Sequence, residues 1–115
     1  MDREEMIAAL KALAHGTRWR MLELLLRHSL CVGALAQTLG VTEAAASQHL
    51  QVLRKANLVL GEKRGYWTHY LVREEVLRRL GQDVTELPDR EAGLRDLNEE
   101  LSSGIHEKNG SKGRE

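Results

Sequence analysis

Residues 41–56 carry the side chains best suited, by type and spacing, to recognise another molecule. They fit one amphipathic helix, and its outward positions are small residues or amides: Ala44, Ser47, Gln48 and Gln51. No charged side chain lies between Glu43 and Arg54 on this stretch. Such a face can approach a surface closely, and a glutamine amide can hydrogen-bond a base edge at two points. We therefore predict that this helix reads a DNA groove.

Ser47 and His49 are the one pair in this helix that resembles a nucleophile and its base. Positions two apart on a helix point to different sides, so the two side chains cannot form a productive hydrogen bond. His49 instead falls beside the apolar stripe of Ala46, Leu50 and Leu53. We expect a hydrogen-bonded histidine of the core and no catalytic site.

His28 and Cys31 form the only local pair of soft metal ligands. A zinc site needs about four ligands, or three with a water, so this pair is a weak candidate that a dimer would have to complete, for example with His15 or His106. Cys31 is the only cysteine, which excludes an internal disulfide and fits a reducing compartment. We expect an inert free thiol, with a redox role as the open alternative, and we expect no cofactor.

Length and charge suit a single small domain with one basic part. Residues 1–80 contain 12 lysines and arginines against 8 acidic residues, whereas residues 81–115 contain 5 against 9. A basic body with an acidic tail is compatible with DNA binding through one face. The sequence shows no long apolar span and no secretion signal, so we expect a cytoplasmic protein that does not bind membranes.

Hydrophobic spacing predicts six helices and one hairpin. The helices cover residues 2–14, 17–28, 34–39, 42–56, 73–84 and 89–101, with Leu87-Pro88 as a break, and the strands cover residues 58–60 and 67–72. Further expectations are a capping box from Asp2 to Glu5, an N-cap at Thr17 and a second helix buried on more than one side. Met6, Leu10 and Leu13 form one apolar stripe on the first helix, which Ile7 and Ala14 widen, and left-handed residues are expected at Gly40, Asn57 and Gly65. The order is that of a winged helix-turn-helix, mainly α with a β-hairpin wing. We assign this domain to residues 1–84, a helical extension to 85–104 and a disordered tail to 105–115.

Four segments resemble the ArsR/SmtB family of bacterial repressors. They are Ala12–Leu22, the recognition-helix pattern Ser47-x-His49-Leu50-x-x-Leu53-Arg54-Lys55-Ala56-Asn57-Leu58-Val59, the wing pattern Gly65-Tyr66-Trp67-x-x-Tyr70, and Leu30-Cys31-Val32, which is similar to the start of the family's metal-binding loop. The resemblance covers about residues 8–80. It implies a homodimeric transcriptional repressor that binds an inverted-repeat DNA operator, with the first helix and the helices after the wing pairing across the two-fold axis.

The chain departs from the family pattern at several positions. His15-Gly16 stands where the family usually has Asp-Pro, and Asn57 where it usually has Gly. Gly33 replaces the second cysteine of the arsenic-type loop, and the helix after the wing lacks the histidine of the family's other metal site. An effector, whether a small molecule or a metal, therefore remains open.

The residues expected to contact DNA lie on the recognition helix and the wing. They are Thr42, Ala44, Ser47, Gln48, Gln51, Arg54, Lys63, Arg64 and Tyr66. Ser47 and Gln48 would face bases, and the others would approach or hold the backbone. The competing interpretation is a protein-interaction module that uses the acidic segment 89–107. The sequence contains no Gly-rich phosphate loop, paired-carboxylate site or metal triad, so we do not expect an enzyme.

Overall fold

The computed structural model describes residues 1–102, in which five helices and one hairpin follow one another along the chain. They are α1 (Arg3–Leu13), α2 (Gly16–Arg27), α3 (Val32–Leu39), α4 (Glu43–Lys55), β1 (Val59–Arg64), β2 (Trp67–Val72) and α5 (Glu74–Ser102). The chain divides into two compact units, the first ending at Gly81 and the second beginning at Gln82. No helix within residues 1–102 is long and apolar enough to span a bilayer. The predicted tail of residues 105–115 lies outside the described residues.

Helix α1 begins at the predicted capping box. The backbone N–H of Glu5 donates to Asp2 Oδ1 at 2.7 Å, and that of Asp2 donates to Glu5 Oε1 at 2.9 Å. Of the apolar stripe predicted on α1, Leu13 is buried, and the other buried residues of the helix are Ala9 and Ala12. Leu10 is 44% exposed, and Ile7 is equally open. The core therefore takes the alanine face of α1, whose small side chains allow close helix packing, and leaves larger apolar groups outside.

Helix α2 begins at Gly16, one residue before the start that the sequence predicted. Its N-cap is His15 and not Thr17, because the His15 Nδ1 accepts a hydrogen bond from the Thr17 backbone N–H at 3.2 Å. A neutral imidazole can accept through one nitrogen, so it can replace the usual hydroxyl or carboxylate cap. The expectation that α2 is buried on several sides is also wrong, since Trp19 is 51% exposed. The buried side of α2 consists of Met21, Leu22 and Leu25.

The predicted turn residues have the expected backbone conformation. Gly40, Asn57 and Gly65 all have positive φ, between 65° and 70°. Gly40 ends α3, which starts at Val32 and so is longer than predicted. Asn57 follows α4 and leads into the hairpin, where β1 continues past residue 60 to Arg64 and pairs antiparallel with β2. The core of this unit centres on Met21, Leu35, Leu53 and Leu58, the largest fully buried side chains.

Helix α5 continues through Pro88, which contradicts the predicted break at Leu87-Pro88. Proline cannot donate to the carbonyl four residues earlier, which belongs to Val84. Both Val84 and Pro88 are exposed, so water can satisfy the released carbonyl, and the fixed φ of proline is itself helical. The two helices predicted at residues 73–84 and 89–101 are therefore one.

Candidate nucleic-acid interface

Helix α4 presents the predicted uncharged face to solvent. Thr42 caps the helix by accepting from the Ala45 backbone N–H at 3.0 Å. The stripe predicted to face inward is fully buried: Ala46, Leu50 and Leu53. Burial of this stripe fixes the rotation of the helix, and it leaves four side chains exposed on the other side: Ala44, Ser47, Gln48 and Gln51.

The turn before α4 sets the angle between the two helices of the motif. Gly40, at φ 70°, reverses the chain after α3, and the Val41 backbone N–H donates to the Ala36 carbonyl at 3.0 Å. A side chain at Gly40 would be strained in this conformation. The carboxylate of Glu43 lies over the first turn of α3, 3.4 Å from where a Cβ on Gly33 would be. A negative charge is favourable at that helix end, which gives Glu43 a structural role at the edge of the outward face.

A groove of about 430 Å³ separates α4 from the hairpin. Its lining consists of Ser47, Gln48, Leu50, Gln51, Arg54 and Tyr70. The Arg54 guanidinium donates to Gln51 Oε1 at 3.4 Å, so both side chains lie along one wall. Tyr70 is not among the contact residues that the sequence predicts. The signal that could have found it is Gly61, its partner across the hairpin, which leaves room for the ring.

The hairpin places its two predicted cations on opposite faces. Residues alternate between the faces of a strand, and paired residues share a face. Lys63 pairs with Thr68 and shares its face with Tyr70 and the groove, whereas Arg64 pairs with Trp67 on the other face. Tyr66 is 97% exposed at the tip.

The Arg64 side chain forms four hydrogen bonds to other side chains of the protein. Its Nε and Nη2 donate to Glu62 Oε1 at 2.9 and 2.7 Å. Its Nη1 donates to Ser29 Oγ at 3.0 Å and to His69 Nδ1 at 3.2 Å. Four of the five N–H donors of the guanidinium that the sequence suggested for the DNA backbone are thus already used within the protein.

His49 lies on the inner side of α4, as predicted, and is half-buried. Its Nδ1 accepts from the Arg18 guanidinium at 3.2 Å, and Arg18 Nε also donates to the Ala12 carbonyl at 2.7 Å. Burial holds the pKa of His49 below its usual value of 6.5, and the neighbouring His15 and Arg18 lower it further. His49 therefore anchors the recognition helix to the end of α1 and the start of α2.

The structure does not build a metal site around His28 and Cys31. His28 is exposed, and Cys31 is half-buried at the N-cap of α3. Within residues 1–102, no three histidine, cysteine or acidic side chains come together in a way that could hold a metal ion. His106, one residue suggested to complete such a site, lies outside the described residues.

The chain matches a known family over the helix-turn-helix. The sequence model described as "Bacterial regulatory protein, arsR family" matches residues 15–60. The chain is 38% identical to the arsenical resistance operon repressor of Bacillus subtilis over 71 residues, which are 61% of this chain and 68% of that repressor. It is 37% identical to the arsenic resistance transcriptional regulator ArsR1 of Pseudomonas putida over 57% of this chain, but the match spans only about half, 52%, of that regulator.

A solved structure shows the same fold. The homodimeric winged helix-turn-helix DNA-binding domain Mb0332 from Mycobacterium bovis superimposes with a TM-score of 0.63 at 28% identity. The superposition covers 91% of this chain and 89% of that domain. The winged helix-turn-helix predicted from the sequence is confirmed, and the chain belongs to the ArsR family of bacterial regulatory proteins.

Proposed function

We propose that this protein is a transcriptional repressor that binds an inverted-repeat DNA operator as a homodimer in the cytoplasm. The observation that carries the proposal is the exposed, uncharged face of α4 beside a groove that Tyr70 of the hairpin borders. A recognition helix of this kind lies in the major groove with its N-terminal part at the base edges. Family membership favours this function over an enzyme and over a module that binds only proteins.

The predicted contacts divide by chemistry. Ser47 and Gln48 would face bases, and the small Ala44 allows the helix to come close. Thr42 and the free N–H groups of the first turn suit a phosphate. The remaining contacts hold the backbone on either side of the groove: Gln51, Arg54, Lys63 and Tyr66. Each phosphate that a cation neutralises contributes about −0.9 to the slope of log K against log salt.

Apolar side chains outside the core support the dimer. In the first unit, Ile7 and Leu10 of α1 are about half exposed. In the second unit, Leu94, Leu97 and Leu101 lie at helical spacing and are exposed as well. A two-fold dimer would set two recognition helices about 34 Å apart, on successive major grooves. The similar domain from Mycobacterium bovis is homodimeric, which supports a dimer.

A footprint on the DNA upstream of the protein's own gene tests the proposal. We expect protection of an inverted repeat, a dimer in sedimentation, and affinity that falls steeply as salt rises from 50 to 200 mM. Equal affinity for the repeat and for a scrambled duplex would overturn specific binding. Absence of affinity for any duplex at low salt would instead favour the interaction module.

The effector is tested on the same complex. Operator affinity is titrated with zinc, arsenite and peroxide, and the purified protein is analysed for bound metal. A loss of affinity with one of them identifies its chemical class as the effector. If none of the three changes the affinity and no metal is bound, the proposals that use Cys31 or His28 fail.

A further inference from the structure

The outer face of the hairpin carries a side-chain network that is absent from its groove face. Val59, Gly61 and Lys63 of β1 lie on the groove face, and Val59 is buried there. Glu62 and Arg64 lie on the outer face, the latter with the four hydrogen bonds given above. The two faces of one short hairpin thus differ in the number of hydrogen bonds that hold their cationic side chains.

The segment before α3 meets β2 in a single antiparallel bridge between Leu30 and Tyr70. The Tyr70 N–H donates to the Leu30 carbonyl at 2.8 Å, and the Leu30 N–H donates to the Tyr70 carbonyl at 3.3 Å. Ser29 is the neighbour of Leu30 in this pairing, and its hydroxyl accepts from Arg64 at 3.0 Å. Arg64 therefore starts on β1, crosses β2 beside His69, and reaches a third segment of the chain.

Lys63 differs from Arg64 in both position and partners. It lies on the face that Tyr70 turns toward α4, and its side chain makes no hydrogen bond or ion pair to any of the residues 1–102. Its ammonium group can therefore bind a phosphate without breaking an existing contact. Arg64 has one N–H donor left, so it would have to leave Glu62, Ser29 or His69 to hold a phosphate at two points, and each charge-assisted hydrogen bond opposes that change.

We propose that Arg64 is a positioning residue, which ties the wing to Ser29 and holds its angle to α4, and that Lys63 is the wing cation that binds a DNA phosphate. The second half rests on the proposed DNA binding. The first half concerns the free protein and can be tested without DNA.

Amide hydrogen exchange in the free dimer tests whether the hydrogen bond between Arg64 and Ser29 holds the wing. We expect the Leu30 and Tyr70 amides to exchange at least several times faster in Arg64→Gln and in Ser29→Ala than in the unchanged protein, because local opening of the bridge becomes easier. Ser29→Thr keeps the hydroxyl and should keep the slow exchange. Lys63→Gln should leave both amides unchanged. Equal exchange rates in Arg64→Gln and the unchanged protein would overturn the positioning role.

A double variant makes the test independent of either substitution alone. If Arg64 and Ser29 act through one hydrogen bond, Arg64→Gln combined with Ser29→Ala should be no faster in exchange than Arg64→Gln. Additive effects would show that the two residues act separately, which contradicts the tie.

Salt dependence of operator binding separates the two cations. Lys63→Gln should lower the magnitude of the salt slope by about 0.9 per subunit, whereas Arg64→Gln should weaken binding severalfold with the slope unchanged. The opposite assignment of the slopes would make Arg64 the phosphate contact and overturn the proposal. If the unchanged protein binds no duplex, the proposed function and the role of Lys63 both fail, and the exchange data still decide the role of Arg64.

Discussion

The imidazole rings of His15 and His49 lie with their centroids 4.8 Å apart and their planes at 51°. His15 caps α2, and His49 lies on the inner side of the recognition helix, so the pair joins the two helices. Arg18 lies against the same His49 nitrogen that would take up a proton. A proton on His49 would therefore remove a hydrogen-bond acceptor and place a second positive charge beside a guanidinium.

This arrangement predicts that the protein loses stability in mild acid. The pKa of His49 is lowered in the folded state, first by burial and then by His15 and Arg18, whereas the unfolded chain keeps a value near 6.5. Between the two pKa values the unfolded state binds more protons, so the free energy of unfolding decreases as the pH falls from about 7. Urea unfolding at a series of pH values from 7.5 to 5 measures the effect.

Two variants show whether His49 is the cause. His49→Gln should flatten the dependence on pH, because its amide does not titrate in this range. His28→Gln removes an exposed histidine and should leave the dependence intact. The same slope in His49→Gln as in the unchanged protein would assign the effect to another group.

Arg18 is predicted to contribute more to the free energy of unfolding than an ordinary surface arginine does. It bonds the Ala12 carbonyl at the end of α1 and His49 on α4, and it is half-buried. Loss of hydrogen bonds from a charged group costs about 1.5–3 kcal/mol each, so Arg18→Gln should lower the free energy of unfolding by at least that amount. Arg20→Gln, at an exposed neighbouring position, should change it by less than about 0.5 kcal/mol. Equal effects in urea unfolding would refute the role of Arg18.

Gln48 is predicted to control sequence preference. It is exposed on the outward face of α4, where a glutamine amide can pair with an adenine at two points. Gln48→Ala should reduce the discrimination at one base pair of each half-site by about 1–3 kcal/mol while binding to phosphates persists. Selection from a randomised operator library measures this preference. Gln37→Ala, on α3, is the matched control and should leave the preferred sequence unchanged.

Much of the fold could be predicted because local chemistry determines it. The capping box of Asp2 and Glu5, the N-cap at Thr42 and the left-handed Gly40 depend on residues a few positions apart. The rotation of α4 also follows from local spacing, since its stripe is apolar at three helical positions. These features place the recognition helix without knowledge of the remaining chain.

The features that could not be predicted depend on distant partners. Which face of α1 the core accepts is decided by helices elsewhere in the chain, and they take the alanines in place of Leu10. The network of Arg64 joins it to Ser29, 35 residues away, and no spacing rule relates the two. His15 showed no cap signal because histidine rarely fills that position.

Gly61 is predicted to be necessary for the shape of the groove. A Cβ at this position would lie 2.9 Å from Thr68 Cγ2 and 3.1 Å from Tyr70 Cε1, so the Thr68 methyl group would have to shift and the ring that lines the groove would have to give by a few tenths of an ångström. Alanine suits a strand better than glycine does, so a loss of stability in Gly61→Ala can come only from this contact. We expect a loss of about 1–3 kcal/mol, with shifted Tyr70 ring resonances. Gly81→Ala is the control, because Gly81 lies in α5 with nothing within 4 Å of its added Cβ. The Gly81→Ala variant should gain up to about 1 kcal/mol of stability from helix propensity. Unshifted Tyr70 resonances in Gly61→Ala would show that the groove does not need the glycine.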